Sequence, residues 1–215
     1  MGGLLIQLLP PLIGSLAMPS WVLLILALLG SDRGVVKAAA VVGGTTSVRL
    51  VQGIIFGIIL SAYEIGHQMN AKGAYFSILL IVLGVLMWLM AVHQAFQKAD
   101  LKLMSMAAAL TPVRALGLGA LLVVTSSRCW IFTLAALGII EQAELDIAQS
   151  VVAYILYMLG AQMLLIAPIL VSVRSSAHFE AATRWLEKYN RPIVIVVSVA
   201  VGCFFLWRGI TGLIR

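Results

Sequence analysis

Long runs of apolar residues constrain the fold of this chain more than any other feature. Six runs of roughly 20 residues or more lie near 3–29, 35–61, 73–95, 113–140, 148–173 and 193–213. About 20 apolar residues are enough for a helix to cross the hydrocarbon core of a bilayer. Only 10% of the residues are charged, against about 25% in soluble domains, so too little polar surface remains to face water. The sequence predicts an all-α polytopic membrane protein, 1–215, with six transmembrane helices in a single membrane domain.

Basic residues in the loops predict the orientation of these helices. The first, third and fifth loops would share one face, and they carry nine Lys and Arg residues against three on the other face. By the positive-inside rule the basic face is cytoplasmic, so both termini are expected outside. The net charge of +6 therefore indicates topology and contact with anionic membrane lipids, and not nucleic-acid binding. The nine residues are Arg33, Lys37, Lys98, Lys102, Arg114, Arg174, Arg184, Lys188 and Arg191, and the three are Lys72, Arg208 and Arg215.

The chain repeats part of itself, which predicts two halves of similar fold. Segment 18–28 is echoed 109 residues later at 127–137, with Trp, Ala and Leu at the same three positions. Segments 83–88 and 201–206 both have glycine in second place, at an offset of 118. Each half, about 3–95 and 113–213, holds three helices, and an odd number makes the second half insert upside down. Two inverted three-helix repeats are the plan of many secondary transporters.

Both copies of the repeated helix contain an interruption. Pro19 interrupts the first copy, and the polar stretch Ser126–Arg128 interrupts the second. If the helices restart at Pro19 and Arg128, each presents free N–H groups and a positive dipole end inside the membrane, which favours anions. Interrupted helices at corresponding places in two halves indicate a transporter's binding site.

Two arginines lie far from any predicted membrane end. Arg49 is some 14 residues into the second helix, or about 21 Å at 1.5 Å per residue, and Arg128 is similarly deep in the fourth. A guanidinium at this depth costs at least about 2.5–3.5 kcal/mol, so it must face a partner or a wet cavity. The alternative is a structural role, with each arginine bonded to carbonyls freed at a break. We expect Arg128 to hold the negative end of the substrate, with Pro19 supplying mainly shape. The candidate substrate-binding residues are Arg49, Arg128, Ser126, Ser127, Pro19, Ser20, Thr46 and Gln52.

The remaining ionisable and reactive residues narrow the chemistry. Glu64 and Glu141 lie at the outer ends of predicted spans, and no acidic residue lies deep in one, which favours an anionic substrate over a cation. His-Glu-x-x-His, Gly-x-Ser-x-Gly and Gly-Lys-Ser/Thr motifs are missing, so we expect no enzyme activity, metal or cofactor. Cys129 corresponds to Ser20 in the other half, so a redox cysteine pair is not indicated and the thiols are interpreted as small apolar residues.

The segment Ser175–Asn190 predicts a short cytoplasmic amphipathic helix. Its apolar residues Phe179, Ala182, Leu186 and Tyr189 share one helical face. This helix would either lie on the inner membrane surface or pack without lipid contact. Pro192 is then expected to begin the sixth span, where its missing N–H costs nothing.

The order of these pieces resembles the Sap/GAP family of actinobacterial membrane proteins, the sulfolipid-addressing and glycopeptidolipid-addressing proteins of the lysine-exporter superfamily. The resemblance rests on Leu-Leu-Gly-Ser-Asp-Arg-Gly at 28–34, on Pro-Val-Arg-Ala-Leu at 112–116, and on Trp-Leu-Glu-Lys-Tyr-Asn-Arg at 185–191 with the glycines that follow. The family's fourth helix usually turns at Asn/Ser-Pro-Lys. Here Ser127 replaces the proline, which argues against a sharp break. The resemblance implies a role in moving cell-envelope lipids or glycolipids across or out of a bacterial plasma membrane.

The leading hypothesis is therefore a transporter or export factor for an anionic amphiphile such as an envelope lipid or glycolipid. One alternative is a small-solute exporter of lysine-exporter type, for amino acids or ions. Another is a non-transporting assembly factor that docks an envelope lipid synthase or exporter. A cavity open sideways to lipid favours the first, a small closed cavity the second, and a solid core the third. A homo-oligomer is left open.

Overall fold

The computed structural model of the chain describes residues 2–16, 18–66, 72–96, 110–143, 145–172 and 179–214. These residues form α-helices, and no strand occurs among them, so the all-α prediction is confirmed. In chain order the helices are α1 (Gly2–Leu16), α2 (Pro19–Leu29), α3 (Gly34–Gly66), α4 (Lys72–Phe96), α5 (Pro112–Thr125), α6 (Ser127–Gln142), α7 (Ile147–Ser172) and α8 (Phe179–Ile214).

Several of these helices can cross a membrane. In the described part of the chain, 34–59, 147–171 and 192–214 are each long and apolar enough to do so alone. The pairs α1–α2 and α5–α6 also qualify if each is one span, although they bend by 55° and 69°. The remaining predicted span, the third along the chain at 73–95, falls on α4, whose apolar described stretch, Ser77–Val92, is shorter. Large apolar side chains such as Ile58 and Met163 face outward, 64% and 68% exposed. Such a surface suits lipid and not water, and the chain is a membrane protein.

Helix α8 corrects the prediction of a separate amphipathic helix before the last span. It runs from Phe179 to Ile214 without interruption and carries Pro192 in its interior. A proline removes one helical hydrogen bond and usually ends or kinks a helix. Here Leu186 packs against the core cluster that contains Leu28 and Ala115. This contact holds the segment before Pro192 in line with the span.

Two helix pairs form the closest backbone contacts of the bundle. In α3 and α5, a Cβ added at Gly44 would collide with the Leu116 carbonyl, and one at Gly119 with the Val41 carbonyl. In α4 and α8, Gly84 lies against Gly202, because a Cβ on either glycine would lie 3.0 or 3.3 Å from the other's carbonyl oxygen. Small residues at such contacts let membrane helices approach closely.

The beginning of α1 and the end of α8 lie at the same end of the bundle. Arg208 Nη2, near the end of α8, donates to Gln7 Oε1 in α1 at 2.8 Å. The opposite end is a buried cluster where α2 ends and where α3 and α5 begin, with Leu28, Ala38 and Ala115 in contact. The bends of α1–α2 and α5–α6 therefore lie between these two ends, in the middle of the bundle.

Candidate functional site

The first helix break lies between Leu16 and Pro19. Pro19 is the first residue of α2, as predicted, and its ring removes the N–H that would otherwise bond the Ser15 carbonyl four residues earlier. Met18 precedes α2 as N-cap residue without a side-chain hydrogen bond. Its own N–H turns back to the Leu16 carbonyl at 2.8 Å. The start of α2 is thus left without a cap.

The second break is sharp although it contains no proline, so the argument against a sharp break was wrong. Ser126 separates α5 from α6 in an extended conformation, and the two helices meet at 69°. Ser126 Oγ accepts a hydrogen bond from Cys129 N at 3.4 Å, as an N-cap residue does. Helix α6 consequently begins at Ser127, one residue before the predicted start at Arg128.

Arg49 lies buried in the middle of α3, only 2% exposed. Its Nη2 approaches Cys129 Sγ of α6 at 3.8 Å. Its Nε and Nη1 have no hydrogen-bond partner in the described structure, and none of the carboxylates described there pairs with it. A buried unpaired charge is strongly unfavourable. The guanidinium is therefore a group that lacks its counterpart.

A narrow cleft with a volume of about 10 Å³, roughly the space of one water molecule, lies beside Arg49. Ser15, Met18 and Trp21 of the first break line one side, and Ala161 and Leu164 of α7 line the other, with Arg49 on α3 between them. Leu164 is 41% exposed on the outer surface of the bundle. The cleft thus joins a buried positive charge to a wall that faces lipid.

Two glutamines add further unpaired polar atoms to this level of the bundle. Gln52 on α3 and Gln162 on α7 are 3% and 2% exposed. Both amide atoms of Gln52, and Nε2 of Gln162, have no partner among the described residues. Gln162 Oε1 lies 2.9 Å from Thr46 Oγ1, whose proton is shared with the Val42 carbonyl at 2.7 Å. Because buried polar groups normally have partners, these atoms call for a partner that the described residues do not supply.

Two tyrosines of α7 fix the helices around the cleft. The Tyr154 hydroxyl donates to the Arg49 carbonyl at 2.6 Å, and its ring lies directly on Gly53, where a Cβ would collide with it. The Tyr157 hydroxyl lies 2.7 Å from Ser15 Oγ, at the end of α1. These bonds tie α3 and the first break to the same helix.

The structure separates the predicted site residues into two groups. Arg49, Thr46 and Gln52 lie on α3 near the cleft, and Pro19 is buried at the break beside it. Ser20 and Ser127 are exposed, and Ser126 serves as a cap. Arg128 is half-buried and is not part of the cleft wall. The geometry therefore favours Arg49, and not the expected Arg128, as the group that meets a negative charge.

Sequence reasoning missed Gln162, Ser15, Trp21, Tyr154 and Tyr157. Gln162 could have been found, because it is an isolated amide in the middle of the apolar run 148–173. Cys129 is buried, 1% exposed, as a small apolar residue would be. It nevertheless contacts Arg49 and, at 3.8 Å, Met18 Sδ, a position that spacing alone does not reveal.

Comparison with known proteins gave one clear relationship. Neither the curated proteins nor the solved structures contain a match to this chain. The family model described as Sap, sulfolipid-1-addressing protein, matches residues 8–211. This range includes both helix breaks and Arg49, and the resemblance drawn from the sequence is confirmed. The chain belongs to the Sap, sulfolipid-1-addressing protein, family.

Proposed function

We propose that this protein is a membrane transporter or export factor, and not an enzyme, for an anionic amphiphile of the cell envelope, a lipid or glycolipid. The family's name links its members to the addressing of a sulfolipid, which is an anionic amphiphile. The outward-facing apolar side chains and the helices of spanning length support a site within a bilayer. The protein would act in a bacterial plasma membrane.

The observation that carries this proposal is the unpaired guanidinium of Arg49. It is buried, it has two donor atoms without partners among the described residues, and it lies on the wall of a cleft. An arginine inside a membrane protein that lacks a protein counter-charge marks a substrate pathway by default. An anionic headgroup would supply both the missing charge and the missing acceptors.

The form of the cleft supports an amphiphile as the substrate. Its volume of about 10 Å³ is far below the roughly 300–1,000 Å³ of sites that enclose a whole ligand, so the cleft has to widen when a ligand binds. A headgroup would bind at the widened cleft, and the acyl chains would stay outside it. The exposed side of Leu164 gives those chains a way into the surrounding lipid.

We further propose that six helices cross the membrane as two inverted repeats of lysine-exporter type. The reciprocal contact of Gly84 with Gly202 supports this, because the offset of 118 makes the two glycines equivalent. The equivalents Trp88 and Leu206 each contact the opposite glycine. Such mutual contacts are expected on a two-fold axis. The two breaks, at corresponding places, support the same plan, with both termini outside.

A small-solute exporter is the second candidate, since the buried guanidinium of Arg49 would also attract a free anion. A docking factor without transport is less well supported, because the core contains a cleft and unpaired polar atoms. Envelope lipid enzymes or exporters, or a second copy of the chain, could still be its partners.

Lipidomics of a deletion strain tests the proposal. The strain should lack one anionic lipid class in its outer envelope and retain it in the plasma membrane. The wild-type gene should restore export, Arg49→Gln should not at equal protein level, and the exposed Arg114→Gln should serve as matched control. Full rescue by Arg49→Gln would contradict an anion site at this arginine. Unchanged lipids with a water-soluble anion retained in the cells would favour the small-solute exporter.

A further inference from the structure

The two helix breaks differ in whether their backbone is already hydrogen-bonded. At the second break, Thr125 Oγ1 donates to a carbonyl one turn earlier at 2.8 Å. Ser126 Oγ accepts from Cys129 N. Trp130 Nε1 reaches back and donates to the Val124 carbonyl at 3.0 Å. The side chains of Thr125, Ser126 and Trp130 therefore form hydrogen bonds with backbone groups at this break.

The first break lacks the equivalents of these three side-chain hydrogen bonds among the described residues. Leu16 and Ala17 stand where the second break has its two hydroxyls, so neither can form such a bond. Trp21 is the counterpart of Trp130, but its indole N–H donates to no acceptor among the described residues. The equivalent acceptor would be the Ser15 carbonyl, which Pro19 already deprives of its helical partner. Among the described residues, the first break thus keeps an indole N–H without an acceptor.

The cleft lies at the first break, and Arg49 supplies an observation independent of the helix ends. Its side chain is 2% exposed and its Nε and Nη1 are unpaired. It lines the same cleft as Ser15 and Trp21. Arg49 and Trp21 both line this cleft, and a guanidinium and an indole N–H are both hydrogen-bond donors. The space therefore suits a group rich in acceptor oxygens, such as a phosphate, sulfate or carboxylate.

We propose that only the first break binds ligand, and that Trp21 is a ligand-contacting residue there. Its indole N–H donates to an oxygen of the oxyanion whose charge Arg49 neutralises. The second break is rigid and binds no ligand, because its own side chains already form hydrogen bonds with the backbone groups that a ligand would contact. This inference rests on the proposed function, since it assigns further residues to the same site. The two copies of one sequence element thus have different roles.

Trp21→Phe and Trp130→Phe are a matched pair that tests the inference, because each removes one indole N–H and keeps an aromatic ring. The probe is phosphatidylglycerol added to the purified protein in phosphatidylcholine nanodiscs, with bound lipid counted by native mass spectrometry. Trp21→Phe should weaken phosphatidylglycerol binding at least fivefold. Trp130→Phe should bind within twofold of the wild type and unfold at a lower temperature. Equal binding losses in both variants, or none in Trp21→Phe, would overturn the assignment.

Fluorine NMR with 5-fluorotryptophan gives a readout that does not depend on stability. The resonance that Trp21→Phe removes should shift when phosphatidylglycerol is added, and the one that Trp130→Phe removes should stay in place. Sodium sulfate as a second probe distinguishes a lipid headgroup from a free oxyanion, and a shift with either supports the site. No shift with either probe contradicts it.

Arg49→Gln in the same assay separates the two proposals. If this variant binds phosphatidylglycerol like the wild type, the anion site of the proposed function is absent and the role of Trp21 falls with it. If Arg49→Gln loses binding and Trp21→Phe does not, the anion site stands and the inference about Trp21 alone fails.

Discussion

At the scale of single residues, the decisive feature is the charged guanidinium of Arg49, which is buried in the protein interior, where desolvation of a charge costs most. Arg49 is buried beside Cys129 and Gln52, and the groups around it offer no described counter-charge. Such an arrangement lowers stability in the empty protein, because the desolvation of the guanidinium is not offset by an ion pair. A structural arginine would instead be satisfied by carbonyls, which was the alternative considered from the sequence. The two roles therefore predict opposite effects on stability.

Replacement of Arg49 by methionine distinguishes them. Arg49→Met keeps an unbranched, flexible side chain and removes the charge. We therefore expect the free energy of unfolding of the empty protein to rise by about 1–4 kcal/mol, and its unfolding temperature to rise with it. Binding of an anionic lipid should be lost in the same variant. Thermal unfolding in detergent measures the first effect. A large drop in stability would mean that Arg49 holds the fold together and would contradict a binding role.

Gly53 allows Tyr154 to take its position, because glycine has no side chain. The Tyr154 ring occupies the space of its missing Cβ, and the hydroxyl reaches the Arg49 carbonyl from there. Gly53→Ala should displace the ring and cost about 1–3 kcal/mol by overpacking. Tyr154→Phe loses only the hydrogen bond, about 1 kcal/mol. Thermal unfolding measures both effects.

Gly43→Ala is the control for this comparison, because a Cβ at Gly43 meets nothing within 4 Å. It should leave stability unchanged or raise it slightly, since alanine is the better helix former. If Gly53→Ala is as harmless as Gly43→Ala, the ring does not depend on the glycine.

The sequence identified these residues unevenly, for a physical reason. Arg49 and Gln52 are conspicuous because polar residues are rare inside apolar runs, and both prove to be buried. Their partners across the bundle could not be predicted, since spacing gives the face of one helix and not its rotation against another. For the same reason Arg128 was given a role that its half-buried position does not favour.

At the scale of the elements, the ends of the helices were predictable to within a few residues, apart from the start of α8, because apolar runs and prolines mark them. The break at Ser126 was underestimated, since the expected signal was a proline and the structure uses hydroxyl caps instead. Helix α8 was divided at Pro192 by local propensity, whereas packing of Leu186 keeps it continuous. In both cases contacts outside the local sequence decided the outcome.

Pro19→Ala should straighten the first break. An alanine N–H at position 19 could bond the Ser15 carbonyl and join α1 to α2. Loss of the 55° bend would lengthen the distance between labels near the two outer ends by about 4 Å, at 1.5 Å rise per residue. Spin labels at Ile6→Cys and Asp32→Cys, in a Cys203→Ser background, measure this distance by double electron–electron resonance, a pulsed electron paramagnetic resonance method.

Pro168→Ala, in the unbroken helix α7, is the control for this measurement and should leave the distance unchanged. If the bend persists in Pro19→Ala, tertiary contacts of Met18 and Trp21 set it, and the proline only tolerates it. In that case Pro19→Ala should bind an anionic lipid as tightly as the wild type does.

At the scale of the whole molecule, the two proposed repeats have unequal chemistry. The contact of Gly84 with Gly202 is mutual, whereas the two breaks differ in every cap. Sequence matching could detect the relationship, because both copies keep a tryptophan at the same place. It could not detect the inequality, which depends on where hydrogen bonds are formed. If the proposed repeats and the transport function are right, one open break would give the transporter a single site, and the other half would be a rigid counterpart against which it can move.

The orientation of this scaffold follows from charge and can be tested at two exposed carboxylates. Asp146 precedes α7 at the end of the bundle where the termini lie, and Asp32 lies in the turn between α2 and α3 at the opposite end. Because most loop arginines and lysines share the face of Asp32, we expect that face to be cytoplasmic. In intact cells with Cys203→Ser, a membrane-impermeant maleimide should label Asp146→Cys at once and Asp32→Cys only after permeabilisation. Labelling in the reverse order would place the termini inside and would reverse the direction in which the cleft takes up its ligand.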